Sequence, residues 1–250
     1  MEFELLKAGR AAVFRWGAAA VVVGVPGVAL LFFLLARSGG SSTAVSKAIA
    51  LVTDTSLAGL VGVTGQVLTI AALMTAGVAA SWSFGREFVD DAVPALYALA
   101  TSRRAIAGAK LLVLTAWLAL VVLATVAVVL AAGLLAGLSL TPAALGAAAK
   151  ACTAALLSGL LAWPLALLSS WRRGYLAGFV GLLGAVVATQ LLTATGAGAW
   201  FPYAAPSLWT GMGGPAAASA VTAAQLALAP VVSGLGVVAT VVWWGRAEAV

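Results

Sequence analysis

The 250-residue sequence contains no histidine, a single cysteine and few charged residues. Without histidine, histidine-ligated haem, histidine zinc sites and Ser-His-Asp triads are excluded. With one cysteine, Cys152, neither an intramolecular disulfide nor a cluster held by cysteines alone can form. Neither a Walker-type phosphate loop nor a dinucleotide-binding glycine motif occurs. We therefore expect no cofactor on this chain, so that any ATP and magnesium it depends on would bind to a partner.

Charged residues make up only 8% of the chain, whereas 64% of its residues are hydrophobic. Soluble domains carry about 25% charged residues, and a single soluble core could not bury so much apolar surface. The composition predicts an all-α polytopic membrane protein, with residues 1–250 forming a single transmembrane domain. Six apolar stretches are long enough to cross a bilayer, at about 17–36, 56–84, 106–136, 143–168, 175–195 and 221–244. Thr141 and Pro142 favour a helix start before the fourth stretch.

Basic residues are distributed unequally between the two ends of these predicted spans. Ten of the 13 lie before span 1, between spans 2 and 3, between spans 4 and 5, or after span 6, leaving Arg37, Lys47 and Lys150 on the other side. The positive-inside rule then places both termini in the cytoplasm, with the protein in the plasma membrane. The net charge of +6 is accordingly attributed to contact with anionic lipid headgroups and not with nucleic acid.

The first 16 residues are predicted to form an interfacial segment on the cytoplasmic membrane surface, with Phe14 and Trp16 among the side chains available to enter the lipid. Glu2 and Glu4 disfavour a cleaved signal peptide, which would begin with a basic region. The first apolar stretch is therefore expected to be a retained span.

No Asp or Glu lies deep within the predicted spans, which disfavours an ion-coupled transporter because such proteins usually relay ions through intramembrane acids. Five polar residues do lie at depth, and two interpretations are open for them. They line a translocation pathway, or they form hydrogen bonds between helices. These candidates are Thr64, Gln66, Thr69, Gln190 and Gln225.

The uncharged connection 196–220 is rich in aromatic residues, prolines and glycines. One interpretation is an aromatic belt at the outer membrane surface. The alternative is a re-entrant segment between spans 5 and 6 that serves as an outer gate, formed by Trp200, Phe201, Tyr203 and Trp209.

The connection between spans 2 and 3 is predicted to contain a cytoplasmic amphipathic helix. Asp90 or Asp91 would cap its start, and Thr101 or Ser102 would cap the next span. An apolar stripe at helical spacing is formed by Val93, Leu96, Tyr97 and Ala100. From the residues alone, this helix rests on lipid or docks on a cytoplasmic partner.

The run from Arg86 to Lys110 resembles a signature of ABC transporter permeases of the ABC-2 export class, particularly the bacitracin-resistance-like branch. That signature reads approximately R-E-[YF]-x-x-G-T-x-x-x-L-[LY]-x-L-P-x-S-R-x-x-[IV]-x-x-[AG]-K. The matching positions are Arg86, Glu87, Phe88, Leu96, Tyr97, Leu99, Ser102, Arg103, Ile106, Ala109 and Lys110. The sequence departs at Asp91-Ala92, where Gly-Thr is usual, and at Ala100, where proline is usual. The opening Glu4-Leu5-Leu6-Lys7, Trp117 and the run 200–206 resemble the same family.

The resemblance implies a permease that pairs with a second permease copy, as a homodimer or heterodimer, and with two copies of a cytoplasmic ATPase. Residues 86–104 would then be the coupling helix that docks on the ATPase, with a smaller contact in the loop 169–174. The coupling residues implied are Arg86, Glu87, Asp90, Asp91, Val93, Leu96, Tyr97, Arg103, Arg104, Arg172 and Arg173. The expected function is export of an amphipathic or hydrophobic peptide, drug or lipid, without enzymatic activity on this chain. A membrane scaffold or assembly protein is the alternative, and an ion-coupled transporter is less favoured.

Overall fold

The computed structural model of the chain describes residues 2–52, 54–93, 96 and 101–246. Six helices in this part of the chain are long and apolar enough to cross a membrane, and no strand occurs in it. The predicted all-α fold with six spans is therefore confirmed. The spans are Ala12–Arg37, Leu57–Val89, Arg103–Leu135, Pro142–Trp171, Tyr175–Ala194 and Ala223–Arg246, numbered 1 to 6 below.

Hydroxyl side chains define the first turns of three spans. The Ser56 hydroxyl accepts hydrogen bonds from the backbone N–H groups of Ala58 and Gly59, and the Ser102 hydroxyl accepts one from Ala105 at the start of span 3. Thr141 caps span 4 through the N–H of Ala144 at 3.2 Å, as the sequence predicts. Each cap provides an acceptor for a backbone donor that the helix leaves unpaired.

Span 1 is longer than its apolar stretch suggests. The N-terminal helix Glu2–Arg10 is followed by Ala12–Ala19, a π-helical turn Ala20–Gly24, and Val25–Arg37. The predicted start near residue 17 is therefore too late. Phe14 is 5% exposed and packs edge-on against Trp82 and Trp117, at ring-centroid distances of 6.2 and 5.2 Å. Its prediction as a lipid-surface residue is wrong, because these two tryptophans provide an aromatic pocket inside the bundle.

Span 4 consists of two helices, Pro142–Leu160 and Trp163–Trp171, where the sequence predicts one continuous stretch. The break precedes Pro164, whose missing N–H cannot continue the helical ladder. Shorter helices lie in the connections between spans. They are Thr43–Leu51, Gly198–Trp200 (a 3-10 turn), Ala205–Trp209 and Pro215–Ala220.

Span 2 is the centre of the bundle. Two thirds of its most apolar window is buried, against 11% for span 5. The close approach of span 2 to the start of span 5 requires a small residue, since a Cβ built on Gly85 would lie 2.2 Å from the backbone nitrogen of Tyr175. Gly85 thereby allows the loop between spans 4 and 5 to pack directly against the end of span 2.

Substituting Gly85 with alanine should destabilise the protein by about 1–3 kcal/mol, because overpacking against a backbone atom forces the two helices apart. The measurement is thermal unfolding of the purified protein in detergent. Gly108→Ala is the matched control, since a Cβ there meets no atom within 4 Å. Equal effects of the two substitutions would contradict the close approach of Gly85.

Candidate coupling site and membrane cavities

Four charged side chains meet where spans 2 and 3 approach the N-terminal helix. The Glu87 carboxylate accepts hydrogen bonds from the Lys110 ammonium, at 2.6 Å, and from the Lys7 ammonium. The Lys110 ammonium also lies 3.2 Å from the Glu4 carboxylate. We call Glu4, Lys7, Glu87 and Lys110 the buried ion cluster.

The cluster is enclosed at its centre and open at its edge. The side chains of Lys110 and Glu87 are 1% and 2% exposed, whereas that of Lys7 is 25% exposed. A buried charge without a partner costs several kcal/mol, so that each of these groups requires the others. Two acids and two bases neutralise one another, and together they join the N-terminal helix to spans 2 and 3.

An aromatic cluster joins spans 2 and 6 at the same end of the bundle. Phe84 and Phe88 of span 2 pack edge-on against Trp244, with ring centroids 5.8 and 6.0 Å apart. The Trp244 indole N–H donates to the Ser170 hydroxyl of span 4 at 2.9 Å. This end of the bundle is therefore held by aromatic contacts as well as by charge.

The two segments predicted to contact an ATPase are adjacent in space. The loop between spans 4 and 5 carries the exposed Arg172 and Arg173, and Gly174 and Tyr175 in it contact Gly85. Gly85 lies four residues before Val89, where span 2 ends and the connection to span 3 begins. A Cβ on Gly245 would lie 2.4 Å from the Arg104 guanidinium, so the end of span 6 lies there too.

The structure places the predicted coupling residues in three different environments. Asp90, Asp91, Arg104, Arg172 and Arg173 are exposed, and Arg103 is half-buried. Val93 and Leu96 are each 8% exposed, while Tyr97 lies outside the described residues. The Arg86 guanidinium pairs with Asp90 at 2.6 Å and lies 4.8 Å from the Trp82 ring.

Glu87 faces inward, in contrast to the polar ATPase contact that the resemblance implies. Its carboxylate is fully engaged with Lys7 and Lys110. In this structure the carboxylate does not reach the surface, so any effect on a partner would pass through the helices that it joins.

Asp91 occupies a left-handed backbone conformation, with φ of 51°. This is the position where the ABC-2 signature has glycine. Glycine adopts such angles freely, and Asp is among the few other residues that tolerate them. The substitution therefore preserves the sharp turn after span 2 and adds a carboxylate to it.

A cavity of about 140 Å³ lies between spans 2, 4 and 5 and the connection 196–222. Three predicted residues line it, namely Thr69, Gln190 and Tyr203. Its other polar lining consists of the hydroxyl groups of Ser158, Thr189, Thr193 and Ser207, and no charged side chain is among the described lining residues. Burial raises the pKa of Tyr203, which keeps its phenol neutral and able to donate a hydrogen bond.

The remaining polar candidates make hydrogen bonds elsewhere. Thr64 donates to the carbonyl of Leu60, and the Gln66 amide donates to the carbonyl of Leu51 at 3.0 Å. The Gln225 amide oxygen accepts from the backbone N–H of Thr222 at 2.7 Å, which caps the start of span 6. Only the Gln66 contact joins two different helices, as the interhelical interpretation expects, whereas the contacts of Thr64 and Gln225 lie within span 2 and at the start of span 6.

The four aromatic residues predicted as an outer gate separate in the structure. Tyr203 lines the cavity and packs beside Phe201, with ring centroids 5.5 Å apart. Trp200 is 66% exposed, and the Trp209 ring lies 5.3 Å from the Lys150 ammonium. Only Tyr203 therefore combines the two predicted features, an aromatic ring and a position over the cavity.

Sequence reasoning missed the roles of Glu4, Lys7 and Lys110, although all three lie in stretches that resemble ABC-2 permeases. The sequence did contain a pattern of opposite charges that indicates this cluster. Glu4 and Lys7 are three residues apart on one helix face, and Glu87 and Lys110 are opposite charges near the facing ends of two consecutive spans.

The six long apolar helices are those of a polytopic membrane protein. A family model described as ABC-2 family transporter protein matches residues 1–190. The chain therefore belongs to the ABC-2 family of transporter proteins. Neither a curated protein nor a solved structure matches the chain.

Removing one member of the buried ion cluster should destabilise the protein more than removing an opposite pair. Glu87→Gln leaves two lysines facing Glu4 alone, and we expect a loss of about 3 kcal/mol. The double variant Glu87→Leu/Lys110→Met leaves Glu4 and Lys7 as a neutral pair and should lose less than the sum of its single changes. Thermal unfolding of Glu87→Leu, Lys110→Met and the double variant in detergent measures this coupling, and strictly additive losses would contradict it.

Proposed function

We propose that the chain is the membrane subunit of an ATP-driven exporter. It would pair with a second permease copy, in a homodimer or a heterodimer, and with two copies of an ATPase that binds ATP and magnesium. The end with the buried ion cluster would face the cytoplasm, so that both termini lie there and the protein spans the plasma membrane. Residues 1–250 would act as one permease domain, with no ATPase site of their own.

One observation carries this proposal. The segment 86–93 at the end of span 2, the segment 101–104 and the loop 171–174 converge at one end of the bundle, where buried charge and aromatic contacts join them to the spans. Their exposed groups include both acids and bases, such as Asp91 and Arg172. A partner surface with complementary charges would dock there with defined orientation.

Movement would pass from this surface to the spans as a rigid-body motion. The connection is continuous with spans 2 and 3, and the Glu87 carboxylate joins both to the N-terminal helix. Packed cores shift between discrete arrangements rather than deforming continuously. Closure of an ATPase pair would therefore displace the helices together.

The cavity beneath Tyr203 supports an amphipathic or hydrophobic substrate, such as a peptide, drug or lipid. Its lining combines hydroxyl and amide groups with apolar side chains. An apolar cavity of about 150 Å³ accommodates benzene, so that about 140 Å³ admits one ring-sized group of a larger molecule.

Reversing the exposed charges should separate this chain from its ATPase. The variant Asp91→Lys/Arg172→Glu is compared with wild type by tagged co-purification from the native membrane in mild detergent, with bound ATPases identified by mass spectrometry. We expect recovery of the ATPase to fall at least tenfold, because like charges brought face to face at an interface cost several kcal/mol. Reversal of Glu87 is unsuitable, since it would place three ammonium groups together in the core.

Two control variants distinguish a loss of complementary charge from a change in the structure of the turn. Lys47→Glu makes the same charge change as the Arg172→Glu half of the variant, at an exposed position on the helix Thr43–Leu51, and should leave recovery unchanged. Asp91→Gly removes the carboxylate but keeps the left-handed turn. Absence of any ATPase with wild type, under conditions that preserve other membrane complexes, would favour the scaffold alternative instead.

A further inference from the structure

A second cavity, of about 230 Å³, opens at the end of the bundle opposite the buried ion cluster. It lies between the first three turns of spans 2 and 4 and the connection 196–222. Lys150 of span 4, Asp54 before span 2 and Thr210 line it. We call it the Lys150 cavity.

Lys150 is a cation inside a membrane helix. It lies eight residues after Pro142 and is partly buried. A lysine at membrane depth costs several kcal/mol and normally faces a partner or a polar cavity. The contact recorded for its ammonium is the Trp209 ring at 5.3 Å. Within the described part of the chain, no carboxylate lies within ion-pair distance of it.

Asp54 carries the opposite charge at the mouth of the same cavity. It is exposed, and its carboxylate accepts a hydrogen bond from the backbone N–H of Ser56 at 2.7 Å. Hydrogen bonds from Ser56 lower the pKa of Asp54, so that it stays ionised at neutral pH. The cavity thus presents a cation within span 4 and an anion in the connection outside span 2.

Small residues keep the cavity open. Its wall between the two helices is formed by Ala58, Gly62, Ala147 and Ala151. A Cβ on Gly62 would meet no atom within 4 Å. The wall is therefore apolar and smooth, and the space beside it can accept the glycerol backbone or the first acyl carbons of a lipid.

We propose that the Lys150 cavity binds the headgroup of an aminophospholipid, with its phosphate at Lys150 and its ammonium at Asp54. In such a lipid the phosphate lies nearer the acyl chains, and the ammonium lies farther from them, toward the water. This order matches the cation inside the span and the anion outside it. A primary ammonium donates hydrogen bonds to a carboxylate, which the quaternary choline group cannot do. The inference does not depend on the proposed transport function.

The test is native mass spectrometry of the purified full-length chain in mild detergent. Phosphatidylethanolamine, phosphatidylcholine and phosphatidylglycerol with identical acyl chains are added separately, and soluble phosphoethanolamine is added in a fourth sample. We expect phosphatidylethanolamine adducts to exceed the other three several-fold. Lys150→Met should lower them about tenfold, because it removes a charge-assisted hydrogen bond, and Lys150→Arg should retain them. Asp54→Asn should abolish the preference over phosphatidylglycerol.

Matched variants distinguish loss of the site from loss of the fold. Lys47→Met removes an exposed lysine and should have no effect. Gly62→Leu fills the cavity without changing charge and should reduce adducts, whereas Gly184→Leu, at another open helical glycine, should not. Each variant is used only if its gel-filtration profile matches wild type. Equal adducts for all lipids, a preference for phosphatidylglycerol that Asp54→Asn leaves unchanged, or binding of free phosphoethanolamine alone would each overturn the proposal.

Discussion

The buried carboxylate of Glu87 is the constraint on which the cytoplasm-facing end of the proposed permease depends. A carboxylate at this depth needs positive partners, and two arrive from different parts of the chain: Lys110 from span 3 and Lys7 from the N-terminal helix. Glu4 then balances the second ammonium. The ion pairs hold the N-terminal helix, span 2 and span 3 together, which otherwise contact one another through apolar side chains. Directional contacts of this kind matter in a bilayer, where lipid competes for every apolar surface.

Charged side chains lie in opposite environments at the two ends of the bundle. At one end four charges neutralise one another in a packed interior, which resists deformation. At the other end Lys150 and Asp54 face a shared open space, and their charges are left for solvent, lipid or a ligand. A rigid end suits the reception of mechanical input, and an open end suits binding. This division follows from side-chain packing alone.

Local features of the fold could be predicted from the sequence, and features made by distant residues could not. Composition and length predict the six spans, and the caps at Ser102 and Thr141 follow from residues within one helical turn. The burial of Phe14 depends on two tryptophans from spans 2 and 3, which no local pattern places beside it. The cavity that joins Thr69, Gln190 and Tyr203 likewise needs the packing of three separate elements. The part of the predicted coupling helix that lies outside the described residues, including Tyr97, stays a prediction.

The adjacent residues Arg86 and Glu87 show that one predicted coupling segment contains residues in different environments. Neighbours in a helix point about 100° apart, so one faces outward while the other faces the core. Arg86 covers the Trp82 ring and pairs with Asp90 just before the left-handed turn at Asp91, whereas Glu87 anchors the interior. A motif that was predicted to be a single docking surface therefore contains one residue that faces outward and one that faces the core. In the proposed coupling, the outward-facing residue would shape the surface that a partner meets, and the inward-facing residue would determine whether movement of that surface reaches the spans.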